Sequence, residues 1–504
     1  MVRPAASVVL VRQDGLVLWV RRGDQLKFAG GFYAFPGGGV DVEDAAVPMR
    51  NAERLGATEG PCVAAAAREL FEETGVLAVP GAEIVQAAER KAMREALLRR
   101  PGPGEKAASF GDFLARHGLS VDASLYRPAG RWVTPLPMPI RFDARFYLVE
   151  LPVGETAEIW PGELADGEWI VPAEALCRWD EGTALLHPPA WHTLKSLAHV
   201  ATPRDALPLL TAPDKAPWKV PIFENIVERI EFQRGVVLVP LRTPTLPPAT
   251  HTNCLLLGDD QLWVVDPGSP WPEEQDILRR TLQRLADEGR RAVGVLLTHH
   301  HLDHVGGAEI VRRELGVPIA ATAQTAELLQ FKVDRVVGDG EALETGPRGW
   351  RMLHLPGHTR GHLCLIEEGS GAVVAGDLVA GVGTVIVDPP EGDMADYLDS
   401  LDRLLAQRPG TIYPAHGPVV PAGAAKLSEY RAHRLEREQR VLASLEAFKA
   451  PATPAQLVPG AYPDVAPELY PLAERSLLAH LYKLARDGRA AEVEPGSWRL
   501  RPEV

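Results

Sequence analysis

The chain has 504 residues, far more than one ordinary domain, so two or three domains are expected. Apolar residues make up 46% and charged residues 24%, a composition typical of globular proteins and not of disordered or fibrous ones. The formal net charge of −14 argues against a chain-wide surface for nucleic acid or membrane, but it leaves room for a local basic patch.

Cysteine usage and the apolar runs indicate a cytoplasmic protein. The four cysteines form no C-x-x-C pair and are not spaced as a disulfide framework, which favours a reducing compartment. The two short apolar runs around Asp14-Gly15 are typical of a β-hairpin, not of an export signal. No stretch approaches the ~18 apolar residues of a membrane span. We therefore expect no membrane partner, and the sequence leaves the oligomeric state open.

The first 200 residues alternate predicted strands with predicted helices. Strands are predicted at the start of the chain and then at Arg145–Glu150 and Glu168–Val171, and helices at Ala64–Glu73, Ala82–Arg99, Ser109–His117 and Pro188–His199. The breaker Pro101-Gly102-Pro103-Gly104 separates the second helix from the third. The following stretch is rich in proline and lacks periodicity, which predicts a first domain over residues 1–200 and a linker over residues 201–228.

Three glutamates stand together on the first predicted helix. Glu69, Glu72 and Glu73 are at positions i, i+3 and i+4, so their carboxylates converge on one helix face. Like charges this close repel one another unless a cation lies between them, and oxygen-seeking Mg²⁺ or Mn²⁺ fits that need. The alternative is a solvated acidic face, which is common for a single E-x-x-E-E.

A glycine-rich loop upstream decides between these alternatives. The loop Phe35–Glu43 contains Gly37 and Gly38, and Glu43 follows Gly37 after five residues. With the run from Arg68 to Val76, this loop resembles the Nudix box, G-x5-E-x7-R-E-U-x-E-E-x-G-U. The resemblance implies an α/β/α sandwich that hydrolyses a diphosphate.

The Nudix resemblance also implies roles for the residues of the box. Glu69, Glu72 and Glu73 would hold the metal and supply the catalytic base, Arg68 would orient the carboxylates, and Glu43 would contribute from the loop beside Gly37 and Gly38. The sequence departs from the box by about 17 inserted residues before Arg68. An enlarged box of this kind resembles a subgroup of coenzyme A diphosphatases, which implies coenzyme A or acyl-coenzyme A as substrate.

Histidines are concentrated in the second half of the chain. Eight of the 15 histidines lie between His299 and His416. Polar residues that suit a metal such as Zn²⁺ follow short apolar strands at His299–His304, His358, Asp377 and His416, and Asp266 follows another. A strand fixes its own end rigidly, so the loops after these strands are expected to present the ligands at one rim of a sheet.

The run from His299 to His304 resembles the H-x-H-x-D-H motif of the metallo-β-lactamase superfamily. The resemblance covers a predicted domain over residues 229–421 and implies an αβ/βα sandwich with two Zn²⁺ ions. It assigns His299, His301 and His358 to the first ion, the catalytic Asp303 with His304 and His416 to the second, and Asp377 to both. Asp266 would shape the site. An aspartate at position 377 and a complete motif favour the glyoxalase II-like and nuclease-like branches.

The last residues, 422–504, differ in character from the rest. They contain predicted helices at Ala424–Phe448 and Leu472–Asp487 and a hairpin at Gly488–Arg499, which suggests a winged-helix-like piece. The arginine-rich run Tyr430–Arg440 resembles the C-terminal region of lactamase-like endoribonucleases, and this implies a surface for single-stranded RNA. A salt-bridged helix packed on the hydrolase core is the competing interpretation, because glutamates interleave with the arginines.

Three functional hypotheses follow from the sequence. The first is a bifunctional hydrolase that cuts a nucleotide or coenzyme A-type diphosphate in one domain and an ester, thioester or phosphodiester in the other. The second is an endoribonuclease of single-stranded RNA with the Nudix domain as an accessory module. The third makes the Nudix half a binding module only, and its three glutamates argue against that.

Overall fold

The computed structural model of the protein describes residues 2–26, 29–56, 58–99, 107–135, 140–160, 162–220, 222–223, 226–227 and 229–501. The predicted breaker at positions 101–104 lies outside these residues. The chain forms two compact units, Met1–Arg234 and Gly235–Val504. All four cysteines are free thiols, and only Cys177 is exposed. Within the described residues, no helix has the length and apolar character needed to cross a bilayer.

The first unit is built on one mixed sheet. Its strands are β1 Arg3–Val11, β2 Val17–Arg22, β3 Tyr33–Ala34, β4 Gly37–Gly39, β7 Arg127–Val133, β8 Phe142–Glu150, β9 Leu164–Ile170, β10 Ile222–Phe223 and β11 Ile226–Val227. Strands β5 Met49–Arg50 and β6 Val121–Asp122 form a separate two-stranded sheet, and β12 Ile230–Glu231 lies outside the mixed sheet. The sheet has the order β10-β11-β7-β8-β1-β2-β3, with β4 paired to β1 and β9 paired to β2. Strand β1 is parallel to β8 and antiparallel to β2. Because β1 is central and buried, its register fixes the loop that carries Gly37.

Helices cover both faces of this sheet. They are α1 Glu59–Thr74, α2 Ala87–Leu98, α3 Phe110–Arg116, α4 Pro172–Asp180, α5 Pro188–Ala198 and α6 Leu207–Thr211. Successive side chains of a strand point to opposite faces, so Val8 and Leu10 pack in the core under α1, while Val9 and Val11 pack in the core under α4 and α5. This arrangement confirms the predicted α/β/α sandwich.

The residues inserted into the Nudix box have their own anchor. Strand β5 pairs in parallel with β6, so Met49 lies opposite Val121 and Arg50 opposite Asp122. The Asp122 carboxylate accepts hydrogen bonds from Arg50 Nε at 3.0 Å and Asn51 Nδ2 at 2.8 Å. The insertion is therefore attached to the segment that precedes β7, and α1 continues undisturbed beyond it.

The second unit contains two sheets. The strands of the first are β13 Val236–Arg242, β14 His251–Leu257, β15 Gln261–Val265, β16 Arg291–Leu296, β17 Ile319–Ala321 and β18 Arg335–Val336. Those of the second are β19 Ala342–Glu344, β20 Gly349–His354, β21 Leu363–Glu367, β22 Val373–Gly376 and β23 Ile412–Pro414. In both sheets the strands are neighbours in chain order, and β15, β16, β17 and β18 run parallel.

Helices pack on the outer face of each of these sheets. They are α7 Pro272–Asp287, α8 Leu302–Val305, α9 Ala308–Leu315, α10 Ala323–Leu328 and α11 Met394–Ala406. One core joins the first sheet to α7 and α9, and another joins the second sheet to α11. The side chains on the other face of β14, such as those of Leu255 and Leu257, are also fully buried, as a sheet covered on both faces requires. The predicted αβ/βα sandwich is confirmed.

The C-terminal piece is a helical bundle with a hairpin. It contains α12 Gly423–Glu446, α13 Pro454–Ala461 and α14 Tyr470–Arg486, followed by the antiparallel strands β24 Ala490–Glu494 and β25 Ser497–Leu500. These bounds lie within a few residues of the predicted helices and hairpin. Trp498 and Leu477 are buried in its core, while Tyr430 of α12 belongs to the core of the second sheet.

Candidate metal centre and Nudix site

Three imidazoles converge at the ends of β16 and β20. His299 Nε2 lies 3.0 Å from His301 Nδ1, and His358 Nε2 lies 3.1 Å from that same atom. The Nδ1 of His299 faces Thr298 Oγ1, and that of His358 faces the carbonyl of Ile386 at 2.7 Å. Both Nε2 atoms therefore carry lone pairs that point toward His301. Nitrogen lone pairs directed at one point suit a shared cation.

A second group of ligand atoms adjoins the first. His416 Nε2 lies 3.4 Å from Asp303 Oδ2 and 3.4 Å from Asp377 Oδ1, and His304 Nε2 lies 3.7 Å from Asp377 Oδ2. Asp377 also lies 3.6 Å from His358 Nε2, so it faces both groups. The atoms His304 Nε2 and Asp377 Oδ1 are buried without a hydrogen-bond partner. Buried polar atoms without partners are costly, which is the condition that a bound metal ion relieves.

Neighbouring acceptors hold the imidazoles of the second group in one orientation. Asp266 Oδ2 accepts from His304 Nδ1 at 2.8 Å, and its two oxygens also accept from the backbone N–H and the hydroxyl of Thr298. The carbonyl of His251 accepts from His416 Nδ1 at 3.0 Å. In each case the Nε2 atom is left facing the centre of the group. This is how acceptors outside a metal site fix the tautomer of a ligand.

Burial and charge control the protonation of these groups. Burial lowers the pKa of His301 to about 3 and lowers the pKa of His299 and His358 as well, so these imidazoles are neutral and able to bind a metal. Burial also acts to lower the pKa of His304 and His416, but the carboxylates around them raise it above its usual value. Burial alone would raise the pKa of Asp377, but the charges of His416 and His304 hold it well below its usual value. The carboxylate is therefore ionised.

The Nudix helix α1 brings Arg68 among the acidic residues. Arg68 Nη1 lies 2.9 Å from Glu69 Oε1 and 3.3 Å from Glu72 Oε1. Its Nε and Nη2 bind the two oxygens of Asp44 at 2.9 and 3.0 Å. Glu43 is exposed, and its contribution to the site stays a prediction, while its neighbour Asp44 makes the contact with Arg68. The short 3-10 turn at residues 42–46 points Asp44 inward and Glu43 outward.

The close fit of the glycine loop positions Glu73 and Glu69 on α1. Glu73 Oε2 accepts from the backbone N–H of Gly37 at 2.9 Å. A Cβ on Gly38 would lie 2.4 Å from Glu69 Oε1, so only glycine allows this approach. Burial, followed by the charge of Glu69, raises the pKa of Glu73 well above its usual value. Burial likewise raises the pKa of Glu69 to about 7 and raises that of Glu72.

The two sites differ in the distances between their candidate ligand atoms. Within the described part of the chain, the groups whose ligand atoms all lie within 4.8 Å are His299/His301/His358, His299/His304/Asp377 and Asp303/His304/His416. Glu69, Glu72 and Glu73 form no group of this tightness, because Arg68 lies between the first two. A metal ion at the Nudix helix would share its carboxylates with this arginine.

Several residues that support the sites carry little signal in the sequence. Arg94 of α2 is buried and donates to the carbonyls of Glu72 and Glu73 at the end of α1. His362 Nε2 accepts from the backbone N–H of Asp377 at 3.0 Å. His362 belongs to the histidine-rich run and could have been found there, whereas Arg94 stands in an ordinary charged helix.

Comparisons with known families agree with this architecture. The family model described as the NUDIX domain matches residues 1–188. The model of the metallo-beta-lactamase superfamily matches residues 247–416, and that of the beta-lactamase associated winged helix domain matches residues 453–498. The winged-helix-like end piece is thereby confirmed.

Relatives and solved structures match the two halves separately. The lactamase-like protein ptaB of Pestalotiopsis fici is 30% identical over 253 residues, which cover 48% of this chain and 76% of that protein. The atrochrysone carboxyl ACP thioesterase of Emericella nidulans is 30% identical over 244 residues, with the same two coverages. A solved NUDIX hydrolase from Alicyclobacillus acidocaldarius is 29% identical, with a TM-score of 0.36 and coverages of 42% and 97%. The chain therefore belongs to the metallo-beta-lactamase superfamily and carries a NUDIX domain in front, so it is an enzyme that joins two hydrolase families.

Proposed function

We propose that the second unit is a dinuclear zinc hydrolase of thioesters and that the first cleaves a diphosphate in a nucleotide or coenzyme A-type substrate. The observation that carries the proposal is the convergence of imidazole and carboxylate atoms from four loops on two adjoining points. Imidazole nitrogens with carboxylate oxygens suit Zn²⁺. Two such ions would supply a water-derived nucleophile at neutral pH and stabilise the oxyanion that develops on the substrate.

The residues of the second unit would divide the work as follows. His299, His301 and His358 would hold one ion, and Asp303, His304 and His416 would hold the other, with Asp377 between them. Residues outside this set fix its geometry: Asp266 keeps His304 in the tautomer whose Nε2 is free. Because these groups follow strand ends, their positions change little when substrate binds.

A thioester substrate is favoured over RNA by the arginines of α12. Arg431 pairs with Asp402, and Arg437 and Arg440 pair with Asp464. Arg434 is buried and donates to the carbonyl of Val385. Arg434 and Arg437 are buried with internal partners, and the acidic neighbours of Arg431 and Arg440 weaken their attraction for phosphates, which supply most of the affinity for RNA. The name of the Emericella relative, an ACP thioesterase, points in the same direction.

In the first unit, Mg²⁺ or Mn²⁺ would neutralise the buried glutamates of α1. Glu69, Glu72 and Glu73 all have raised pKa values, first because they are buried. A divalent cation would favour their ionised forms, as an opposite charge does for any carboxylate. Arg68, fixed by Asp44, would keep Glu69 and Glu72 oriented toward the ion.

Product analysis by mass spectrometry tests both halves in one experiment. The protein is incubated with acyl-coenzyme A, Zn²⁺ and Mg²⁺, and the variants Glu73→Gln and Asp303→Ala are run in parallel. Exposed Glu83→Gln and Asp287→Ala serve as matched controls. Hydrolysis of the diphosphate gives 3′,5′-ADP and acyl-phosphopantetheine, whereas hydrolysis of the thioester gives a free acid and coenzyme A.

Each outcome assigns or removes an activity. Diphosphate products lost only in Glu73→Gln assign that cleavage to the NUDIX domain. Free coenzyme A lost only in Asp303→Ala assigns thioester hydrolysis to the metallo-beta-lactamase domain. Intact acyl-coenzyme A in the wild type rejects this substrate for both domains, and cleavage of single-stranded RNA lost in Asp303→Ala would then establish the endoribonuclease alternative.

A further inference from the structure

One irregular segment contacts both groups of candidate metal ligands, which are together called the metal cluster below. This segment, residues 378–393, leaves the cluster at Asp377 and contains no helix or strand before α11. Its Ile386 carbonyl accepts from His358 Nδ1 at 2.7 Å. Its Gly381 N–H donates to the carbonyl of His416 at 2.7 Å. The imidazole of His358 and the backbone of His416 are therefore both held by this segment.

Tyr430 of α12 forms hydrogen bonds with the first part of the segment. Its ring is fully buried, and its hydroxyl accepts from the N–H of Ala380 at 2.9 Å. The same hydroxyl donates to the carbonyl of Gly383 at 2.7 Å. One side-chain oxygen thus ties together two points of the chain that are three residues apart.

Arg434, one helical turn after Tyr430, binds the next part. Its Nη2 donates to the carbonyl of Val385, the residue before Ile386. Its guanidinium lies 5.3 Å from the centre of the Tyr397 ring, and the Tyr397 hydroxyl donates to the carbonyl of Leu378. These contacts are buried, so water does not compete for them and each is costly to break.

Helix α14 holds the last part of the segment. Arg475 forms an ion pair with Asp388, and Arg486 forms one with Asp393, the N-cap of α11. Both pairs are partly exposed, and pairs of this kind contribute little to stability. The buried bonds of Tyr430 and Arg434 are therefore the stronger constraint on residues 378–393.

From these contacts we propose that α12 is a positioning element of the metal centre. Tyr430 and Arg434 fix residues 380–385, and this places the Ile386 carbonyl where it holds the His358 imidazole with Nε2 toward His299 and His301. The inference rests on the proposed metal-binding role of that histidine cluster. It gives the C-terminal piece a task inside the hydrolase, namely to keep one of its two ions tightly bound.

Tyr430→Phe tests the proposal, because it removes the hydroxyl and keeps the ring. Tyr482→Phe on α14 is the matched control, since this tyrosine is 41% exposed. The full-length proteins are stripped of metal and titrated with Zn²⁺ against a competing chelator. We expect one of the two Zn²⁺ ions of Tyr430→Phe to bind about tenfold more weakly or worse, as for other groups that orient metal ligands. The other ion and the control are expected to bind as in the wild type.

Thermal unfolding of the metal-free proteins separates positioning from a general structural role. A general role predicts a lower melting temperature without a selective loss of one ion, and that result overturns the proposal. Equal Zn²⁺ affinities in Tyr430→Phe and Tyr482→Phe also overturn it. If Tyr430→Phe does not fold, Arg434→Met, which removes the donor to Val385 and keeps a long apolar side chain, takes its place with the same expectation. A wild type that binds no Zn²⁺ rejects the metal-centre proposal itself, which is a distinct result.

Discussion

Asp266→Asn is the sharpest test of how the metal cluster is oriented. Asp266 follows β15 with a positive φ of 50°, a conformation that asparagine also tolerates, so the change adds no backbone strain. The carboxylate now accepts three hydrogen bonds, from the N–H and hydroxyl of Thr298 and from His304 Nδ1. An asparagine amide at the position of Oδ2 becomes a donor toward His304.

The substitution reverses the polarity of one hydrogen bond. His304 Nδ1 would then accept the bond, and the proton would move to Nε2, which faces Asp377 and Asp303. Metal binding requires this proton to leave again, or the amide to turn away and leave a buried group unsatisfied. We expect a loss of about 10- to 100-fold in metal affinity, equivalent to about 1.4 to 2.8 kcal/mol.

Competition between the protein and a chelator for Zn²⁺ measures this loss. Asp287→Asn, at the exposed last residue of α7, is the control for the same chemical change. The weakened ion should be the one bound by His304, so one Zn²⁺ per chain is retained at the wild-type affinity. Wild-type affinity for both ions in Asp266→Asn would refute the argument from tautomers.

Two further predictions concern the first unit. Gly38→Ala places a methyl group 2.4 Å from Glu69 Oε1. We expect it to displace that carboxylate and to lower the diphosphatase turnover about tenfold or more. Gly39→Ala, which has open space around its Cβ, is the control and should retain the wild-type turnover. Arg94→Met leaves the carbonyls at the end of α1, including that of Glu73, without their donor. We therefore expect urea unfolding to show that the free energy of unfolding falls by about 2 to 3 kcal/mol. An unchanged midpoint of the urea transition would contradict this role.

The sequence predicted the sandwiches well, because their signals are local. Buried strands such as β1 contain continuous apolar runs, here Val8 to Val11, and the histidine-rich run from His299 to His304 closely follows β16. Backbone acceptors could not be predicted in the same way. The carbonyl of Ile386 has no side-chain signature, and its role depends on a segment whose shape is imposed by α12.

The loop of the Nudix box shows the limit of counting along a motif. The spacing of the motif points to Glu43, whereas the structure places the carboxylate of Asp44 against Arg68. Gly38 and Asp44 have the same separation as Gly37 and Glu43, so spacing alone does not show which acid faces Arg68. Which acid points inward is decided by the turn and by the buried position of Arg68, and neither is visible in the spacing.

The anchored insertion has a consequence for protein engineering. Residues between Asp44 and α1 are attached at the β5–β6 pairing and at Asp122. We therefore expect changes in length after Asn51 and before α1 to leave Arg68 and the glutamates of α1 in place. A library of such variants would keep the geometry of the box while the surface beside it is altered.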